Sequence, residues 1–114
     1  MPSHLDEFRA RRERMNKKIL DGDHTGIKRF FRLDAAAYED GALPGKTKEL
    51  LGLVASTVLR CNDCVDYHLI KCAEAGYTDA EIHDALNVAL IVGGSIVIPH
   101  LRHAYETLET LSRD

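Results

Sequence analysis

Residues 49–68 read ELLGLVASTVLRCNDCVDYH, and this stretch decides how the rest of the chain is arranged. It combines the carboxylate of Glu49 with two cysteines, spaced as Cys61-x-x-Cys64, and the imidazole of His68. If residues 64–68 are helical, the i,i+4 spacing places Cys64 and His68 on one face, about one turn apart. Two thiols that can close a disulfide, with a base beside them, are the groups that reversible thiol chemistry requires.

A break in the helix is needed within this stretch. Twelve residues at a rise of about 1.5 Å each would hold Glu49 and Cys61 about 18 Å apart in one continuous helix. Residues 60–63 (RCND) predict the break, because Asn and Asp favour caps and turns over helix interiors. A simple hairpin about this point sets Glu49 opposite residues beyond His68. The sequence leaves open whether Glu49 reaches the thiols directly, through water or from a neighbouring subunit.

Outside the motif, hydrophobic periodicity and capping residues indicate helices, with no strand-like alternation of useful length. Ser3 is a candidate N-cap for the first helix, and residues 78–81 (TDAE) form a capping box for the fifth. We expect an all-α fold: one domain over residues 1–114, built as a bundle of about six helices. The predicted helices cover residues 3–20, 25–39, 46–59, 62–75, 78–94 and a final segment capped by Ser95.

The apolar positions predict which faces are buried. The second helix is expected to contribute core positions, namely Ile27, Phe30, Phe31, Leu33, Ala37 and Tyr38, and the sixth helix to turn inward Leu101, Ala104, Tyr105, Leu108 and Leu111. Residues 85–98 are too evenly apolar for a one-sided surface helix. In so short a chain this run predicts coverage by another subunit, and therefore a homo-oligomer.

Composition limits the partners and the compartment. The chain has 114 residues, a net charge of −3 and a pI near 6.0, which gives no basis for binding nucleic acid or an anionic membrane. The first 18 residues are dominated by charge rather than by an apolar signal core, and we expect a cytoplasmic protein. In the cytoplasm, a CxxC pair is more often catalytic or metal-binding than a structural staple.

The spacing Glu49-x11-Cys61-x2-Cys64-x3-His68 resembles the signature of the alkylhydroperoxidase D-like (AhpD-like) branch of the carboxymuconolactone decarboxylase superfamily. The resemblance covers about residues 30–112. The best-studied members carry a further histidine inside the CxxC, where this chain has Asn62 and Asp63, so a relay through that histidine is absent or replaced.

The resemblance implies a thiol-dependent oxidoreductase that reduces organic hydroperoxides or a partner's disulfide, without a metal or flavin cofactor. It assigns Cys64 as the peroxide-attacking thiol and Cys61 as the resolving one, with Glu49 and His68 as a proton relay. It further implies a homotrimer or homohexamer, and reduction by a lipoyl-bearing or thioredoxin-like protein. Local electrostatics alone does not decide which cysteine attacks.

Other functions compete with this interpretation. Cys61, Cys64 and His68, with Glu49 or a nearby histidine, could ligate zinc as a structural module. A lactone decarboxylase would share the fold, although that branch is not characterised by the CxxC pair. A pure interaction module could also retain the motif.

Several further residues are expected to take no part in the chemistry. Cys72 lies four residues beyond His68 and is expected to be a small buried apolar residue. His100 and His103 are expected to lie at an interface or on the surface. Asp66 and Tyr67 are expected to be structural.

Overall fold

The computed structural model describes residues 3–113, and all of its regular elements in this range are helical. Between residues 3 and 113, six α-helices follow one another, with one 3₁₀ turn, Ser95–Val97, before the last. The all-α prediction is therefore confirmed, and the helix boundaries fall close to those expected. The helices are α1 (His4–Asp21), α2 (Thr25–Ala37), α3 (Gly45–Val58), α4 (Asn62–Glu74), α5 (Asp79–Gly93) and α6 (Ile98–Arg113).

The helix starts follow from local side-chain chemistry. The Ser3 hydroxyl accepts from the backbone N–H of Asp6, whose carboxylate accepts from the N–H of Ser3 in return. Thr78 and Glu81 make the same reciprocal pair at the start of α5, as the sequence predicts. Backbone and side-chain bonds to Thr78 also lower the pKa of Glu81. Each pair satisfies amide groups that a helix leaves without intrahelical partners.

The core lies where α3, α4, α5 and α6 meet. α3 packs against both α4 and α5, and α4 packs against α6. Fully or almost fully buried side chains from all four helices form one cluster: Leu53, Val65, Leu69, Cys72, Ile82, Leu86, Ala104 and Leu108. This arrangement holds α4, which carries Cys64 and His68 and is capped by Cys61, between α3 and α6.

The first two helices pack less closely. Leu5 anchors the start of α1 and is fully buried, whereas α2 has no buried residue. The prediction that α2 contributes core positions is therefore wrong for most of its apolar face, since Phe30 is 69% and Leu33 is 72% exposed. Periodicity identifies an apolar face but does not show that the same chain covers it.

A similar correction applies to α6, where Tyr105 was expected to face inward. Its side chain is 45% exposed and stacks on the ring of His83, with ring centroids 4.5 Å apart. Along residues 85–98, large apolar side chains also remain exposed in the single chain, including Val88, Ile91, Val92 and Ile96. Within residues 3–113, no helix combines the length and the apolar character needed to cross a membrane.

Candidate functional site

The break predicted at residues 60–63 is present and places the cysteines at a helix start. α3 ends at Val58, and Arg60 has a left-handed backbone with φ of 62°, which is uncommon for a residue other than glycine. Cys61 then caps α4, its sulfur accepting from the backbone N–H of Cys64 at 3.3 Å. The chain thus reverses direction immediately before the CxxC pair, so that α3 and α4 run side by side.

This reversal brings the carboxylate of Glu49 within hydrogen-bonding distance of the His68 ring. Oε2 of Glu49 lies 2.9 Å from Nδ1 of His68, and both side chains are largely buried. Because a carboxylate only accepts, Nδ1 donates the hydrogen bond and the lone pair of a neutral His68 lies on Nε2. The sequence left open how Glu49 reaches the site; in the structure it does so within its own chain, through the imidazole.

The two cysteines of the motif are joined as a disulfide, with their Cα atoms 5.3 Å apart. Cys64 is exposed, whereas Cys61 is half-buried. Cys72 is fully buried and free, as expected of a small apolar residue. Burial, assisted by the nearby charge of Glu49, raises the pKa of the Cys72 thiol to about 12. Cys72 is therefore held in its unreactive protonated form.

A cavity of about 620 Å³ opens onto this site. Cys64 and His68 of α4 form part of its wall, together with residues of α1 and of the C-terminal end of α2. The lining is mixed, combining Phe8, Met15, Tyr38 and Tyr67 with the guanidinium groups of Arg11 and Arg12 and with acidic side chains such as Asp34 and Asp63. The guanidinium carbon of Arg12 lies 4.1 Å from the centre of the Tyr67 ring, which connects α1 to α4. The volume is in the range of small-molecule sites in proteins.

Tyr38 is a site residue that sequence reasoning missed. Its hydroxyl oxygen lies 3.5 Å from Nε2 of His68, and the two ring centroids are 5.4 Å apart. Burial, with the charges of Asp34 and Glu49, raises the pKa of the phenol. The apolar pattern of α2 assigned Tyr38 to the core, and no spacing rule connects it to a histidine thirty residues away.

Two histidines of α6 form hydrogen bonds with the first turns of α4, and both stay partly exposed, which agrees with the surface positions expected. Nδ1 of His100 lies 2.8 Å from Oδ1 of Asn62, inside the CxxC motif. Nε2 of His103 lies 2.9 Å from Oδ1 of Asp66, which also accepts from the hydroxyl of Thr107 at 2.6 Å. Asp66 is only 4% exposed, so these two donors satisfy a buried carboxylate and fix α4 against α6.

The contacts among the motif residues show how the four candidate zinc ligands are arranged. Glu49 bonds His68, and Cys61 bonds Cys64, so the four groups form two pairs rather than one ligand shell. Within the described range, residues 3–113, no three or more His, Cys, Asp or Glu side chains are arranged to hold a metal ion.

Fold and site together define a class of protein: an all-helical subunit with a Cys-x-x-Cys pair at a helix start and a bonded histidine and glutamate beside it. Residues 27–107, more than half of the chain, match the sequence model of the carboxymuconolactone decarboxylase family. The chain belongs to this family, which confirms the superfamily that the motif spacing indicated.

Solved structures agree with this assignment. Two crystal structures of a carboxymuconolactone decarboxylase family protein from Thermotoga maritima match with TM-scores of 0.90 and 0.91 and sequence identities of 54% and 55%. These matches cover 94% of this chain and 91% and 94% of the other chains. An involvement in the antioxidative response has been suggested for that protein. A family member from Legionella pneumophila is 25% identical with a TM-score of 0.78, covering 96% of this chain and 95% of the other.

A curated relative is more distant. A protein from the cox locus of Paracoccus denitrificans, without an assigned function, is 27% identical over 82 residues, which are 72% of this chain and 74% of the relative.

Proposed function

We propose that this protein is an AhpD-like thiol oxidoreductase that reduces organic hydroperoxides through its CxxC pair. The observation that carries the proposal is the bonded Glu49–His68 pair, one helical turn from Cys64, on the wall of a cavity large enough for an organic substrate. The antioxidative role suggested for the Thermotoga protein supports the same conclusion.

The proposed reaction begins with the reduced protein. His68, with its lone pair on Nε2, accepts the proton of Cys64, and Glu49 stabilises the imidazolium that forms. The Cys64 thiolate attacks one peroxide oxygen, so that an S–O bond forms, the O–O bond breaks and an alkoxide leaves. The alkoxide takes up one proton and departs as an alcohol, while Cys64 is oxidised to a sulfenic acid.

The second half-reaction closes the disulfide. The thiol of Cys61 attacks the sulfenic sulfur of Cys64, an S–S bond forms, and one water molecule leaves. The exposure of Cys64 and its place on the cavity wall support its role as the attacking thiol, while Cys61, at the cap of α4, is in bonding reach as the resolving one. Two electrons from a dithiol reductant restore both thiols.

The resemblance to the AhpD-like branch also suggests the reductant, the compartment and the assembly. The reductant would be a lipoyl-bearing or thioredoxin-like protein, and the reaction would take place in the cytoplasm, where a disulfide persists only as part of a redox cycle. The proposed assembly is a homotrimer or homohexamer built on the exposed apolar side chains of residues 85–98.

One titration tests the proposal. The protein is fully reduced, freed of reductant and mixed with one equivalent of cumene hydroperoxide. We expect one equivalent of alcohol and the loss of two thiols, with peptide mapping placing the disulfide between Cys61 and Cys64. Zinc analysis of the same reduced sample addresses the alternative: stoichiometric zinc together with thiols that resist the peroxide would overturn the redox function in favour of a metal module. Inert thiols without zinc would also reject it, and assay with a γ-carboxymuconolactone would then test the decarboxylase alternative.

A further inference from the structure

The two ring nitrogens of His68 have different partners, and the partner of Nε2, the hydroxyl of Tyr38, has no role in the relay described so far. Nδ1 donates to Glu49 at 2.9 Å, which fixes the tautomer and leaves Nε2 as an acceptor. The hydroxyl of Tyr38 is 3.5 Å from that acceptor. Hydrogen bonds of catalytic groups are often long before substrate binds and shorten in the reacting complex.

We propose that Tyr38 is a catalytic residue that carries the proton from Nε2 of His68 to the oxygen that leaves the hydroperoxide. This inference rests on the proposed peroxidase function and adds a group to it. While His68 is neutral, the Tyr38 hydroxyl donates to Nε2. The Tyr38 O–H turns away from Nε2 as this nitrogen takes the proton of Cys64; Nε2 then becomes a donor, and the phenol oxygen becomes its acceptor.

The phenol then bridges donor and product. As the O–O bond breaks, the Tyr38 O–H proton passes to the departing alkoxide, and the Nε2 proton passes to the phenol oxygen. Tyrosine and histidine both end neutral, the Cys64 sulfur has been oxidised to a sulfenic acid, and the peroxide has been reduced to an alcohol. No proton enters from outside the site, because the one that reaches the alkoxide replaces the one lost by the thiol.

The position of Tyr38 is suited to this step. Tyr38, the residue that caps the end of α2, lines the same cavity as Cys64 and His68, so its hydroxyl can contact a substrate bound in that cavity while it stays beside Nε2. Its raised pKa keeps the phenol protonated over the physiological range, as a proton carrier must be at the start. Tyr67 is also near His68, but the contact is between the two rings, edge to face, with centroids 5.2 Å apart. The guanidinium of Arg12 lies over the Tyr67 ring.

The test compares two oxidants, one whose leaving group needs a proton and one whose leaving group does not. Tyr38→Phe keeps the ring and removes only the hydroxyl. With tert-butyl hydroperoxide, whose alkoxide is a poor leaving group, we expect Cys64 oxidation to slow by ~10²-fold, the lower end of general acid contributions. With peracetic acid, whose carboxylate leaves without a proton, the rate should be close to that of the wild-type protein. Tyr105→Phe, which removes a hydroxyl from an exposed ring on α6, is the control for both oxidants.

A third reagent separates the proton step from thiolate formation and from folding. Iodoacetamide releases iodide, which needs no proton, so the rate of Cys64 alkylation in Tyr38→Phe should match that of the wild type. Equal slowing with all three reagents would overturn the inference, because it would mean that Tyr38 acts on the thiolate or on the fold. Equal rates in wild type and variant with tert-butyl hydroperoxide would overturn it as well. If the wild-type protein itself does not react with hydroperoxides, the proposed function fails rather than the role of Tyr38 alone.

Discussion

Gly52 leaves the space that the ring of His68 occupies. A Cβ atom built at position 52 would lie 2.6 Å from Cε1 of His68, 2.8 Å from Nε2 and 2.9 Å from Nδ1, all closer than real Cβ contacts allow. Gly52 lies on α3 three residues after Glu49, so the same helix supplies the carboxylate and the gap beside it. A glycine in the middle of a helix normally lowers stability. Here the space that the imidazole of His68 needs accounts for the glycine.

The first prediction follows from this contact. Gly52→Ala should force the His68 ring away from Glu49 and slow peroxide-driven oxidation of Cys64 by ~10²-fold or more, as expected when a general base is displaced. The free energy of unfolding should change little, since alanine favours the helix by about 1 kcal/mol and offsets part of the clash. Stopped-flow kinetics and urea unfolding measure the two effects.

Gly41→Ala is the matched control for that experiment. Its added Cβ would meet only the end of the flexible Lys48 side chain, at 3.4 Å, and both rate and stability should stay at wild-type values. Full activity in Gly52→Ala would show that the ring position in the structure is not the one used in the reaction.

The second prediction concerns the bonded pair. Glu49→Gln and His68→Ala should each slow peroxide-driven oxidation by ~10²–10⁴-fold, the range typical of general acid–base groups, while leaving the fold intact. The double variant should be about as slow as the slower single variant, because both changes disable one proton path. Glu13→Gln, an exposed carboxylate on α1, should have no effect. Normal rates in both single variants would remove the relay from the mechanism.

Much of the fold could be predicted because its determinants are local. Capping at Ser3 and Thr78 marks two helix starts, and the Asn and Asp after Cys61 mark the reversal between α3 and α4. The i,i+4 relation of Cys64 to His68 is likewise a property of one helix. These features require only the chain within a few residues of each position.

The remaining contacts of the site join distant segments. Tyr38 meets His68 from α2, and His100 and His103 reach α4 from α6, over separations of 30, 38 and 37 residues. Such contacts depend on how helices are placed relative to one another, which side-chain periodicity does not specify. The wrong expectation for Phe30 has a related cause: apolar character shows that a residue favours burial, not which molecule buries it.

A third prediction addresses Cys72. With a pKa raised to about 12, only about one thiol in ten thousand is ionised at pH 8, and the side chain is buried. Iodoacetamide at pH 8 should therefore label Cys64 in the reduced native protein and leave Cys72 unmodified, while urea should make all three cysteines reactive. Peptide mass analysis gives the result. Cys72 in the principal disulfide of the peroxide-treated protein would contradict both the structure and the proposed redox pair.

The raised pKa of Cys72 also predicts how the stability of the fold changes with pH. The pKa of Cys72 is raised from 9.0, so the folded protein holds the thiol proton more tightly than the unfolded chain. The resulting contribution to the free energy of unfolding is complete below pH 9 and is lost as the pH rises toward 12. Relative to wild type, Cys72→Ala should accordingly lose less of its free energy of unfolding over that interval.

The fourth prediction concerns assembly. Ile91 is 77% exposed in the single chain, within the apolar run of α5 that we propose to be covered by other subunits. Ile91→Asp should dissociate the oligomer, since the contact would otherwise bury an unpaired charge, and it should leave the monomer folded because the position is exposed there. Ala80→Asp places the same charge at an exposed position in the first turn of α5, outside residues 85–98, and should keep the assembly intact. Light scattering that finds a wild-type monomer at micromolar concentration would rule out the proposed oligomer.

The last prediction separates the roles of the two cysteines. If Cys64 attacks and Cys61 resolves, Cys64→Ser should abolish the reaction with hydroperoxide, whereas Cys61→Ser should permit one turnover. The second variant would then hold a sulfenic acid on Cys64, because the thiol that would condense with it is gone, and dimedone should label that residue. Cys72 should not substitute as the resolving thiol, since it is buried on the core side of α4 and remains protonated. Dimedone on Cys61 in Cys64→Ser, with none on Cys64 in Cys61→Ser, would reverse the assignment and make the half-buried cap residue the nucleophile.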